Sequence, residues 1–135
     1  MFPFQVNFEP GIPIYEQVVY AATKAIISGN MAAGERFPSV RVLSQELKIN
    51  PNTAHKVIVE LVASRLLDVQ PGLGTVVAER PKFSEADRAQ LLKHDVEHLV
   101  VEAKRLNVTL DGLLECVYKH WRNLMPNEEP ARRKK

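Results

Sequence analysis

The chain has a single cysteine, Cys116, in 135 residues. One thiol excludes an intramolecular disulfide and suits a reducing cytoplasm. No apolar run is long enough to span a membrane, and no signal peptide is legible, so no membrane partner is expected. There is also no excess of one charge. The formal net charge is +2, and residues 1–80 carry seven Lys/Arg against seven Asp/Glu. Bulk charge therefore gives no case for a nucleic-acid partner, and such a case must rest on where single charges sit. What is present is apolar residues, at 45% of the chain. That content supports a packed core, and the length allows one domain plus a small addition.

Residues 34–56 are the most informative stretch. Ser39 follows Pro38 and precedes Val40, Leu43 and Leu47, which is the pattern of an N-cap before an apolar helical stripe. Arg41 lies in the first turn of that helix and off the stripe, so it should be exposed. Asn50-Pro51 then opens a second helix, with Asn as cap and Pro at the first helical position. Ala54, Val57, Ile58 and Leu61 form its apolar stripe, which leaves Asn52, Thr53, His55 and Lys56 on other faces near its N-terminus. Two short helices with a tight turn, the second headed by small polar residues, are the layout of a helix-turn-helix DNA reader. An earlier helix should run from about Pro13 to Ser28, with Gly29 as its stop and Ile14, Val18, Ala21, Ala22, Ala25 and Ile26 buried. Phe2-Pro3-Phe4 and Phe8 lie outside any helix, and their packing partner, the domain itself or another chain, is left open.

A β-ribbon follows. Leu66–Gln70 and Gly74–Ala78 read as two strands joined by Pro71-Gly72-Leu73. A hairpin directly behind a recognition helix is a wing. Residues from about 10 to 79 now resemble the winged-helix domain of the GntR family of bacterial transcription regulators. The resemblance is carried by Pro13-Ile14-Tyr15-Glu16-Gln17, Gly34-Glu35-Arg36-Phe37-Pro38-Ser39-Val40-Arg41, Ile49-Asn50-Pro51-Asn52-Thr53 and Gly72-Leu73-Gly74-Thr75-Val76-Val77. The Pro-Ser-Val-Arg and Asn-Pro-Asn-Thr wording, with a short C-terminal part, is similar to the YtrA-type subgroup.

This resemblance implies a dimeric DNA-binding regulator, usually a repressor, and not an enzyme. It implies that Arg41 contacts a phosphate or base and that Asn52 and Thr53 make contacts at the head of the recognition helix. His55 stands where Arg or Gln is frequent, Lys56 follows it, and Gly72 matches the wing-tip glycine. The chain departs from the family pattern at Gln70, Pro71 and Leu73, where basic residues are common, and at Ser64-Arg65, where Glu-Gly is common.

Beyond a short linker at Pro81-Lys82-Phe83, Ser84 with Asp87 resembles a capping box, and a helix is expected to about Leu106. Leu92, Val96, Leu99, Ala103 and Leu106 step by four and three, a heptad-like seam. Thr109 can cap a second helix with Leu110, Leu113, Leu114, Val117, Trp121 and Leu124 on one stripe, ended by Pro126. Two amphipathic helices bury such stripes poorly alone, and paired half-sites need a dimer, so this seam, joined by Leu113, Val117 and Trp121, is expected at a homodimer interface. His94-Asp95-Val96-Glu97-His98 matches the wording H-x-x-E-H of an inverted zinc-peptidase motif. The two histidines, four apart, share a helix face and could touch one metal, but the short chain supplies no evident third ligand or cleft, so a solvated helix face is the expectation, with no catalytic residue and no metal, over adventitious or regulatory metal binding.

The expected fold is mostly α with a small β-hairpin. A winged helix-turn-helix domain at 1–80 precedes a two-helix dimerisation segment at 81–126 and a disordered basic tail at 127–135. The expected function is a sequence-specific DNA-binding transcription regulator, a homodimeric repressor on a palindromic operator. The alternative is a winged-helix protein-interaction module that has lost DNA binding. Double-stranded DNA and a second copy are the expected partners. No cofactor is expected; a small-molecule effector, in a pocket at the dimer interface, is left open and its identity is not legible.

Overall fold

The computed structural model describes residues 2–79 and 83–124. The linker residues Pro81 and Lys82, the helix stop Pro126 and the tail 127–135 lie outside them. The described residues divide into two compact units, one on either side of residues 80–82.

In the first unit, helix α1 (Ile14–Ile27) follows Pro13, which has no side chain to cap it. Gln17, inside the first turn, instead ties the helix to the loop before it. Its Nε2 donates to the carbonyls of Ile12 and Glu9 at 2.8 and 3.0 Å, and its Oε1 accepts from the Glu9 amide at 2.8 Å. The helix ends at Ser28 before Gly29, whose φ of +87° a side chain would resist. Helices α2 (Val40–Leu47) and α3 (Pro51–Ala63) are capped as their sequence dictates. Ser39 Oγ accepts from the Val42 amide at 3.2 Å, and Asn50 Oδ1 from the Asn52 amide at 2.7 Å. Between them the chain turns at Lys48 in the left-handed region, φ +56°. Ser44 Oγ secures the turn by donating to the Ile49 carbonyl at 2.7 Å.

Left-handed backbone at a residue with a Cβ is unfavourable by about 1–2 kcal/mol, and glycine relieves it. After the larger unfolded-state entropy of glycine is subtracted, Lys48→Gly should stabilise the unit by roughly 0.5–1 kcal/mol. Urea denaturation checks this, and a lowered midpoint with unchanged m would contradict it.

The core holds Val18 and Ala22 of α1, Leu43 of α2, and Ala54, Val57 and Leu61 of α3, all at 0% exposure. Ile14 is a correction. It lies on the expected stripe but is 41% exposed, because it is the first residue of the helix and the stripe there runs past the core. Phe4 is buried in the same core, with ring centroids 4.8 Å from Phe2 and 6.1 Å from Phe37. The N-terminal aromatics Phe2 and Phe4 thus pack on their own domain.

Strands β1 (Leu67–Gln70) and β2 (Gly74–Val77) pair antiparallel, Leu67 opposite Val77 and Gln70 opposite Gly74. The three-residue connection closes through Leu73 N–H to the Gln70 carbonyl at 3.0 Å, with Gly72 at φ +83°. The sequence did not announce a third edge. Gly34–Phe37 runs along β2, with Gly34 N–H to the Val77 carbonyl at 2.8 Å, Val77 N–H to the Glu35 carbonyl at 2.9 Å and Phe37 N–H to the Thr75 carbonyl at 2.9 Å. The wing is therefore bonded directly to the segment that leads into α2.

In the second unit, Ser84 Oγ accepts from the Asp87 amide at 3.0 Å and starts α4 (Glu85–Ala89). The chain continues as a π-helical segment, Gln90–Asp95, and then as α5 (Val96–Arg105). After a turn at Asn107, φ +60°, Thr109 Oγ1 accepts from the Gly112 amide at 3.0 Å and caps α6 (Leu110–Asn123). The π-helical segment corrects the reading of one regular helix with a heptad-like seam. Its wider turns displace Leu92 relative to Val96, Leu99 and Leu106. Ala103 is buried, at 8%, while those four remain exposed. Among the described residues no helix is long and apolar enough to cross a membrane.

Candidate nucleic-acid interface

Two helix N-termini and a hairpin tip carry the polar residues singled out from the sequence. Arg41 is the second residue of α2 and is exposed. Its guanidinium makes no ion pair among the described residues, so it is available to an outside anion. Asn52 is the second residue of α3 and is exposed, while Thr53 is half-buried beside Ala54. His55 is exposed on the same first turns. At each N-terminus one amide is taken by the cap and the amides of Arg41 and Thr53 have no partner among the described residues. Unpaired N–H groups and the positive end of the helix dipole favour a phosphate there.

Lys56 is exposed but engaged. Its Nζ lies 4.9 Å from the centroid of the Tyr15 ring on α1, and the Tyr15 hydroxyl donates to Glu60 Oε1 at 3.4 Å. Partial burial, then the adjacent Glu60 carboxylate, push the Tyr15 hydroxyl above its ordinary value of 10.0, so it stays a neutral donor. The sequence had separated Tyr15 from Lys56 by 41 positions, and only the packing of α1 on α3 brings them together.

Gly72 is exposed at the wing tip, between exposed Val69 and Leu73. A cleft of about 520 Å³ lies where the wing meets the start of α2, lined by Phe2, Phe37, Ser39, Val42, Leu73 and Thr75, with Glu35, Arg36 and Glu46 at its polar positions. Among the described residues no three His, Cys, Asp or Glu side chains form a group that could hold a metal ion.

Comparison with known proteins bears on this arrangement. Residues 14–77, from the first residue of α1 to the last of β2, match the gntR family of bacterial regulatory proteins. These residues are a GntR-family winged helix-turn-helix. The chain is 29% identical over 114 residues to the HTH-type transcriptional repressor YtrA of Bacillus subtilis, covering 84% of this chain and 88% of that one. It superposes on a GntR family transcriptional regulator from Listeria monocytogenes with a TM-score of 0.63 at 27% identity, covering 83% of this chain and 98% of the other. The fold is also that of a protein described as a transcriptional antiterminator from Listeria monocytogenes, with a TM-score of 0.80 at 21% identity over 96% of this chain and 97% of that one. The match makes residues 14–77 a DNA-binding helix-turn-helix of the GntR type, and the relatives that cover most of the chain are described as transcription regulators.

Proposed function

We propose that this GntR protein is a cytoplasmic homodimeric repressor that reads a palindromic operator, one winged helix per half-site. The observation that carries the dimer is the apolar surface of the second unit. Leu92, Leu99 and Leu106 are 60%, 46% and 57% exposed, and Val117 and Trp121 on α6 are 42% and 65% exposed. Leu113 is half-buried. So much exposed apolar surface on about 40 residues calls for a covering surface, and a second copy supplies one while spacing two recognition helices. The similarity to a Bacillus subtilis repressor over most of both chains supports repression.

In this reading α3 enters the major groove, with Asn52, Thr53 and His55 at base edges or adjacent phosphates. Lys56 leaves the Tyr15 ring for the backbone, and Arg41 and the Gly72 amide hold the flanking strands. Two observations favour a second reading, a protein-interaction module without DNA binding. The wing tip from Gln70 to Leu73 has no charge, and residues 1–80 are neutral in sum.

DNase footprinting on the promoter of its own operon tests the proposal. Two protected half-sites about 10 base pairs apart, or a multiple of that, are expected. Protection of a single half-site, or none, contradicts it. The wing gives a further expected result. Each added phosphate contact by Lys steepens the dependence of log affinity on log salt by roughly 1. Leu73→Lys should therefore tighten binding to all duplexes and steepen that slope, with base preference unchanged. Curves that overlay the wild type at every salt concentration mean that the wing does not reach the duplex.

A further inference from the structure

His94 and His98 are not used by the DNA-reading unit. His94 closes on His98 across the junction of the π-helical segment and α5, with ring centroids 4.3 Å apart and planes inclined by 32°. Both residues are exposed, so the rings have room to turn about their side-chain bonds. A divalent ion bound at about 2.0–2.1 Å by two imidazole nitrogens in near-tetrahedral geometry sets those nitrogens roughly 3.3 Å apart, within reach of rings this close. A second observation adds charge. Asp95 Oδ1 lies 3.6 Å from His94 Nδ1, too far for a hydrogen bond but near enough for its carboxylate to favour a cation held by the pair.

We propose that His94 and His98 form a two-imidazole site for a borderline divalent transition ion such as Zn²⁺ or Ni²⁺. Imidazole selects such ions over Mg²⁺, which prefers oxygen ligands. The remaining coordination positions fall to water, since no third ligand of this chain joins the pair among the described residues. The site is a clip. It ties a residue of the π-helical segment to one of α5, so the ion favours the helical register in which both face the same way. This inference does not depend on the operator or on repression.

The test uses the full chain, purified without an added histidine tag and stripped with a chelator. Calorimetric titration with Ni²⁺ and with Zn²⁺ should show saturable binding of no more than one ion per chain, and Mg²⁺ should give none. His94→Gln and His98→Gln should each weaken Ni²⁺ binding at least tenfold, and Asp95→Asn by no more than a few-fold, since its carboxylate is exposed and acts only through its charge. His120→Gln should leave it unchanged. Ni²⁺ should also raise the thermal midpoint of the wild type and not that of the His94→Gln/His98→Gln double variant, whose helix content by circular dichroism checks that it folds. Absence of saturable binding, or Ni²⁺ binding retained by the double variant, overturns the proposal.

Discussion

Leu99→Asp should turn the protein into a monomer in sedimentation at micromolar concentration. Leu99 is 46% exposed on α5, on the same helix as exposed Val96 and Val100. A carboxylate there is harmless in water and is unfavourable by several kcal/mol once a second copy covers it without a partner. The loss should extend to DNA. A dimer holds its second half-site at the effective concentration set by its first, so separating the copies should weaken operator binding by about 100-fold or more. Leu99→Ala, which adds no charge, should weaken the association less. A charged residue at an exposed position of a chain that is already monomeric leaves both sedimentation and folding unchanged. That outcome, a monomeric wild type indistinguishable from Leu99→Asp, removes the dimer from the proposal.

Arg41→Ala should weaken operator binding by roughly 1–3 kcal/mol if the guanidinium reads a guanine edge. The side chain is exposed and free of ion pairs among the described residues, so its removal should leave the fold intact. Two outcomes separate two roles. A loss confined to the operator means base reading. An equal loss on every duplex, with a shallower salt slope, means a phosphate contact. Affinity and salt slope both unchanged would remove this face from DNA recognition.

The parts of the fold that were legible in the sequence are those fixed by neighbouring residues. Ser39, Asn50, Ser84 and Thr109 each cap the helix they precede, because a side-chain oxygen needs only the next two or three amides. The hairpin was legible for the same reason, since Gly72 and Gly74 supply the positive φ that a three-residue connection requires. Features set by distant residues were not legible. The pairing of Gly34–Phe37 with β2 depends on residues about 40 positions apart, and no alternation of apolar and polar residues marks so short an edge. The engagement of Lys56 by Tyr15 was hidden in the same way, although each residue was singled out separately. Phe4 gave no sign of whether its own domain or a partner would cover it, because hydrophobicity names no direction. The π-helical segment at Gln90–Asp95 was invisible because six residues hold too few apolar positions to tell a π-helical period from an α-helical one.

The N-termini of α2 and α3 are the surface proposed to read DNA sequence. A salt titration of the purified protein against the promoter of its own operon, with an unrelated duplex of equal length beside it, tests it most directly. Binding to the promoter should be tighter by about 1,000-fold or more at physiological salt, with affinity for both duplexes falling as salt rises. Equal binding to the two duplexes, or no binding to either at low salt, would contradict it.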